Sequence, residues 1–232
     1  TPGERNEIAV ELTRGLEIDQ QEFSKYIPDY LGQFCLWLPP AQLDELLGDL
    51  HRSLCSANDQ VVSAALDTIG VVCENYGGYR ERFPEADEVY RARRERLLGM
   101  LLKGLAGFRS EVRQEAMYVL GLRVFGSARL ERHEKRRAFR LTLKKILSLT
   151  GEPSGDPLTF YYRCALLSRM CRFLTEQELL YGTDIEPSHF IEALDEAMLA
   201  DDKHWKKHYQ GTELEIRMKR KFSFSDRCRY YM

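Results

Sequence analysis

Residues 46–70, LLGDLHRSLCSANDQVVSAALDTIG, and residues 97–121, LLGMLLKGLAGFRSEVRQEAMYVLG, carry one pattern at a fixed offset of 51. Leu46-Leu47-Gly48 recurs as Leu97-Leu98-Gly99, Leu50 as Leu101, Leu54 as Leu105, Val61 as Val112, Ala65 as Ala116, Ile69 as Leu120 and Gly70 as Gly121. Each copy reads as two helices. In the first, Leu43, Leu46, Leu47, Leu50 and Leu54 fall on one stripe of a helix with about 3.6 residues per turn. Asn58-Asp59 breaks and caps, and Val61, Val62, Ala65, Leu66 and Ile69 form the next stripe. In the second copy Ser110 is expected at the capping position ahead of Val112, Ala116, Met117 and Leu120, because a short side-chain oxygen there accepts from an unpaired helix-start amide.

A helix pair that cannot bury its stripes alone must stack on a like neighbour, and in this the stretch resembles HEAT-type helical repeats. The expected fold is all-α: a HEAT-like helical repeat, an α-solenoid, over residues 1–150, followed by an irregular helical C-terminal region over residues 151–232. The polar joint Thr150-Gly151-Glu152-Pro153-Ser154-Gly155-Asp156-Pro157 marks the boundary between them.

The chain of 232 residues is 44% hydrophobic, enough to bury a core as one elongated domain or two small ones. Its 34 basic and 36 acidic residues nearly cancel, which leaves no global field for a nucleic-acid backbone or an anionic membrane. No run of apolar residues is long enough to span a bilayer, and Thr1-Pro2-Gly3-Glu4-Arg5 lacks the apolar core of a signal peptide, so a cytoplasmic protein is expected. The abrupt start at Thr1-Pro2 reads as a piece of a longer protein. The six cysteines form no CxxC pair, and five lie in apolar helical stripes, which favours buried free thiols over disulfides.

Residues 4–18 fit an amphipathic helix striped by Ile8, Leu12 and Leu16. A second helix is expected over about 20–37, kinked or split by Pro28. Leu36-Trp37-Leu38, ahead of Pro39-Pro40, reads as packing rather than as a partner-facing patch. Between the repeats, Tyr76-Gly77-Gly78-Tyr79 through Glu88 reads as a loop. Arg91, Arg93, Arg94 and Arg96, then Arg129, Arg132, Lys135, Arg136, Arg137, Arg140, Lys144 and Lys145, are expected on a solvated face. In the second cluster they fall off the stripe of Phe139, Leu143, Ile146 and Leu147. Asp156-Pro157 opens a helix whose core face holds Leu158, Tyr161, Tyr162, Ala165, Leu166, Met170 and Phe173, and a further helix is expected from Pro187 to about Leu199.

The last stretch is different in kind. Glu192–Asp201 (EALDEAMLAD), His204–Gly211 (HWKKHYQG) and Arg220–Tyr231 (RKFSFSDRCRYY) resemble the C-terminal region of the non-catalytic subunit of class II D-tagatose-bisphosphate aldolases, over about residues 188–231. That resemblance implies an accessory polypeptide supporting a zinc-dependent aldolase, in a family built on an (α/β)8 barrel. Here no series of β-branched strands alternates with helices, so a helical repeat stands where the barrel should be. A packing or subunit-contact role is what carries over.

Arg220, Lys221, Ser223, Ser225, Arg227 and Arg229 gather cations and hydroxyls of the kind that hold a phosphate through charge-assisted hydrogen bonds. Tail residues docked on the helical body are the alternative. His204 and His208 stand four apart, but the lysines between them put two cations beside any metal. No GxSxG, P-loop or GxGxxG is present, and paired carboxylates such as Asp44-Glu45 read as solvated, so no catalytic residue, metal or cofactor is assigned. The sequence thus points to a non-enzymatic scaffold or accessory subunit with a protein partner, linked to carbohydrate metabolism. The alternatives are a sugar-phosphate-binding subunit or enzyme component using the basic tail, and a helical-repeat nucleic-acid binder.

Overall fold

A computed structural model describes residues 2–15, 26–107, 109–148, 166 and 170. They divide into two compact units, one ending at Glu131 and one starting at Arg132. The first unit holds α1 (Pro2–Gly15), α2 (Ile27–Phe34), a 3-10 turn (Cys35–Trp37), α3 (Pro40–Ser53), α4 (Asp59–Arg82), α5 (Asp87–Leu105), α6 (Ser110–Val119) and a π-helical turn (Leu120–Phe125). The second holds α7 (Arg132–Ser148). No strand occurs among the described residues, as the all-α reading expects.

The 24-residue α4, about 36 Å long at the usual rise per residue, is the central element. It packs against α2, α3, α5, α6 and the π turn. The two copies of the repeated sequence share their burial at seven matched positions: Leu46, Leu47, Leu50, Val61, Ala65, Ile69 and Gly70 are buried, and so are Leu97, Leu98, Leu101, Val112, Ala116, Leu120 and Gly121, but Leu54, just past the end of α3, is only half-buried where Leu105 is buried. Each fully buried leucine contributes about 1.5–3 kcal/mol from water exclusion. Helices approach closely where one of them carries glycine. A Cβ on Gly32 of α2 would lie 2.6 Å from Cβ of Val71, and one on Gly104 of α5 would lie 2.7 Å from Cβ of Ala116.

Several expectations are corrected. Tyr76-Gly77-Gly78-Tyr79 is not a loop but the last part of α4, because Tyr76 and Tyr79, three apart, extend the buried stripe and stack with centroids 5.3 Å apart. That packing outweighs the cost of two helical glycines, about 1 kcal/mol each. Pro28 sits in the first turn of α2, where its missing amide hydrogen costs nothing, and residues 20–25 of the expected helix lie outside the described residues. In α1 the buried residue is Ala9, whereas Ile8 is exposed. Cys35 and Cys73 are buried free thiols, but Cys55, in the turn after α3, is exposed. Leu36 and Leu38 pack inside while Trp37 between them stays half exposed.

The capping residues divide. Asn58 caps α4, its side chain accepting from the amide of Gln60 at 2.9 Å. Ser110 does not cap α6: Arg109 holds that position and Ser110 Oγ donates to Glu111 at 3.0 Å. In the second unit, Phe139, Leu143 and Ile146 of α7 are buried, and Arg132, Arg137 and Lys144 are exposed, as the stripe predicts. Leu166 and Met170 are helical and buried.

Candidate functional site

The phosphate-binding residues expected from the sequence (Arg220, Lys221, Ser223, Ser225, Arg227 and Arg229) lie outside the described residues, as do His204 and His208. Within the first unit, the chemistry-bearing side chains collect in two arginine-centred junctions and one aromatic corner.

The first junction ties α3, α4 and α5. Arg93 donates from Nε to Asp44 Oδ1 at 3.0 Å and from Nη2 to Oδ2 at 2.8 Å, a two-pronged grip. Its Nη1 reaches Glu85, in the connection after α4, whose other oxygen accepts from the Tyr76 hydroxyl at 2.7 Å. Tyr76 stacks on Tyr90 of α5 as well as on Tyr79, and the Tyr79 hydroxyl donates to the carbonyl of Leu38 at 3.1 Å. Burial pushes both phenols up, Tyr79 to about 12. The bonds to Asp44 hold the Arg93 guanidinium above its ordinary value. Arg93 is buried, which corrects the solvated reading of Arg93, whereas the Asp44 side chain stays 44% exposed. Arg94 likewise turns inward, to the carbonyl of Cys73.

The second junction ties α2, α4 and the π turn. Arg123 Nη2 donates to Asp29 Oδ1 at 2.7 Å and lies 3.5 Å from Asp67 Oδ1, while Nη1 donates to Glu74 at 3.3 Å. Asp67 Oδ1 and Arg123 Nε are buried with no hydrogen-bond partner. Burial raises the Asp67 carboxyl, Arg123 opposes it, and the charges of Asp29 and Glu74 add to the rise. On α6, Glu115 is pushed up to about 7, by burial first and then by the charge of Asp67. No group of three or more His, Cys, Asp or Glu among the described residues is placed to hold a metal ion. No single sequence motif marks Arg123 or Glu115. Opposite charges separated by about one repeat length were the signal available, since Asp44 to Arg93 and Glu74 to Arg123 both span 49 positions.

The aromatic corner is built on Trp37. The Arg82 guanidinium sits 3.3 Å from the ring centroid and donates to the carbonyl of Leu36 at 2.9 Å. Arg5 approaches the ring at 5.7 Å. No helix among the described residues is long and apolar enough to cross a membrane.

Comparison with known proteins places the likeness at the other end of the chain. The D-tagatose 6-phosphate 4-epimerase of Agrobacterium fabrum is 34% identical over 77 residues, which are 33% of this chain and 17% of that protein. The D-tagatose-1,6-bisphosphate aldolase subunits GatZ of Salmonella paratyphi B and Salmonella newport are each 33% identical over 99 residues, 43% of this chain and 22% of theirs. The chain therefore spans about a fifth of the length of these relatives. Residues 153–232 match the family model described as D-tagatose-1,6-bisphosphate aldolase subunit GatZ/KbaZ-like, and this C-terminal third resembles that family.

Proposed function

We propose that the chain is a non-enzymatic accessory subunit in D-tagatose-bisphosphate metabolism, in which a HEAT-like, solenoid-type helical part presents a surface to a protein partner. The observation that carries the reading is the family match over residues 153–232, to proteins named as subunits of an aldolase. Supporting it, the two pairs of helices, α3–α4 and α5–α6, bury residues at seven matched positions, and Arg93 and Arg123 are spent on internal ties. The test is reconstitution with a purified catalytic subunit of a class II tagatose-bisphosphate aldolase. The chain should comigrate with it in size-exclusion chromatography and raise its activity or thermal stability. A chain carrying Phe222→Ala and Phe224→Ala should lose the effect, and no comigration would remove the proposal.

A second reading is favoured by one relative, an epimerase of D-tagatose 6-phosphate. Here Arg220, Lys221, Ser223, Ser225, Arg227 and Arg229 hold a sugar phosphate directly. Isothermal titration with D-tagatose 6-phosphate separates the two, since micromolar binding lost on Arg227→Ala with Arg229→Ala supports the second. The nucleic-acid reading is weakened by the inward ties of Arg93 and Arg94. It requires affinity that falls steeply with salt.

A further inference from the structure

Residues 26–38, YIPDYLGQFCLWL, carry one charge, Asp29, and that acid is spent on Arg123. The backbone stays in the right-handed helical region through Phe34 and Cys35, where α2 passes into the 3-10 turn. Tyr26, Tyr30, Gln33 and Trp37 therefore follow one another at i, i+4, i+7 and i+11, on one side of the helix. All four are exposed, Tyr30 at 67% and Trp37 at 45%, while Leu31, Cys35 and Leu36 on the other side are buried. Packing accounts for the inner face and leaves the outer rings unused. Single apolar side chains are ordinary on a surface, but three large rings aligned over about 16 Å of helix make a patch.

Cations edge the Trp37 end of this patch. Arg82, the last residue of α4, lies on the indole and is pinned by its bond to the Leu36 carbonyl. Arg5 of α1 approaches the same ring and donates to the Trp37 carbonyl at 3.4 Å. Neither arginine pairs with a carboxylate among the described residues, and each commits only Nη1, to a carbonyl. A guanidinium carries five N–H donors in a fixed fork, so one already held against a ring keeps donors to offer and loses little freedom when a carboxylate arrives.

We propose that this face docks an acidic segment of a partner protein, with an apolar side chain against Tyr30 and Trp37 and carboxylates on Arg82 and Arg5. The inference rests on the reading of the first unit as a partner-binding surface, not on the family match. Trp, Tyr and Arg are the side chains that dominate binding energy at protein interfaces. The rings supply most of the affinity, since exposed ion pairs contribute little alone, and the arginines select acids. A stripe of about 16 Å takes about five extended residues or about three turns of helix. A second copy of the chain fits less well, because residues 26–38 hold no acid that is not already paired to receive its arginines. A nucleic-acid strand also fits less well. Arg82 covers one face of the indole on which a base would stack, and the exposed Glu4 and Glu81, next in sequence to the two arginines, oppose a phosphate backbone.

The test selects a random peptide library, displayed on phage, against the full chain and titrates a recovered peptide. Recovered sequences should be rich in Asp and Glu beside an aromatic or aliphatic residue. Affinity should fall about tenfold or more in Trp37→Ala and in Tyr30→Ala, and about threefold in Arg82→Gln. Tyr118→Ala, at another exposed ring on α6, should leave it unchanged. If Trp37→Ala does not fold, the more exposed Tyr30→Ala decides. Recovery of no peptide, of sequences without acid enrichment, or of peptides that bind the Tyr30→Ala and Arg82→Gln chains as tightly as the parent overturns the proposal. So does salt-steep binding of an oligothymidylate lost in Trp37→Ala, which would assign the face to nucleic acid, or a dimer in light scattering that the same change dissolves. Comigration with the aldolase catalytic subunit is tested at Phe222 and Phe224, so the failure of either reading is seen separately.

Discussion

Arg93 of α5 places Nε and Nη2 on the two carboxylate oxygens of Asp44 in α3, at 3.0 and 2.8 Å. The same guanidinium serves Glu85, and the two acids differ in exposure: the Asp44 side chain is 44% exposed and that of Glu85 only 7%. Solvent screens the first ion pair and not the second. Arg93→Ala should therefore cost about 3–5 kcal/mol by stranding a buried carboxylate, while Asp44→Ala should cost about 1 kcal/mol or less. Urea unfolding of the two variants checks the ranking, and equal losses would contradict it.

The glycines of α4 should respond in opposite directions. A Cβ on Gly70 would press into Val119 of α6, so Gly70→Ala should destabilise by about 1–3 kcal/mol. Gly78 has open space around it and sits in helix, so Gly78→Ala should stabilise by about 0.5–1 kcal/mol. Thermal melts of both variants measure this. A loss at Gly78 would be hard to reconcile with a helix running to Arg82.

Caps offer a third contrast. Asn58→Ala removes the acceptor for the Gln60 amide and should cost about 1 kcal/mol. Ser110→Ala removes only an exposed bond to Glu111, so its effect should stay within about 0.5 kcal/mol. Denaturation midpoints of the two variants distinguish them.

Alkaline titration should show at least two tyrosines ionising late. Tyr79, raised to about 12 by burial, stays protonated in the folded chain when the unfolded chain has begun to ionise near its ordinary 10. Folding stability should thus fall as pH rises from 10 towards 12. The absorbance of phenolate against pH reads the lag, which Tyr79→Phe should shorten by one group.

The leucine stripes of both repeats could be read in the sequence because burial follows helical periodicity, a local property. The end of α4 could not, since Gly77-Gly78 signals a break and only the stacking of Tyr76 on Tyr79 and Tyr90 overrides it. Arg93 read as surface because an arginine is buried only when a matching acid arrives, and Asp44 lies 49 positions earlier. Arg123 was hidden for the same reason. Its three acids belong to two other helices.

That spacing bears on how the chain is made. Asp44 and Glu74 each leave the ribosome 49 residues before the arginine that will neutralise them. At about 5–20 residues per second the delay is on the order of several seconds. During synthesis the first pair of helices therefore waits with its acids unmatched, and slow translation of residues 83–123 would lengthen the interval in which a chaperone or protease can reach it.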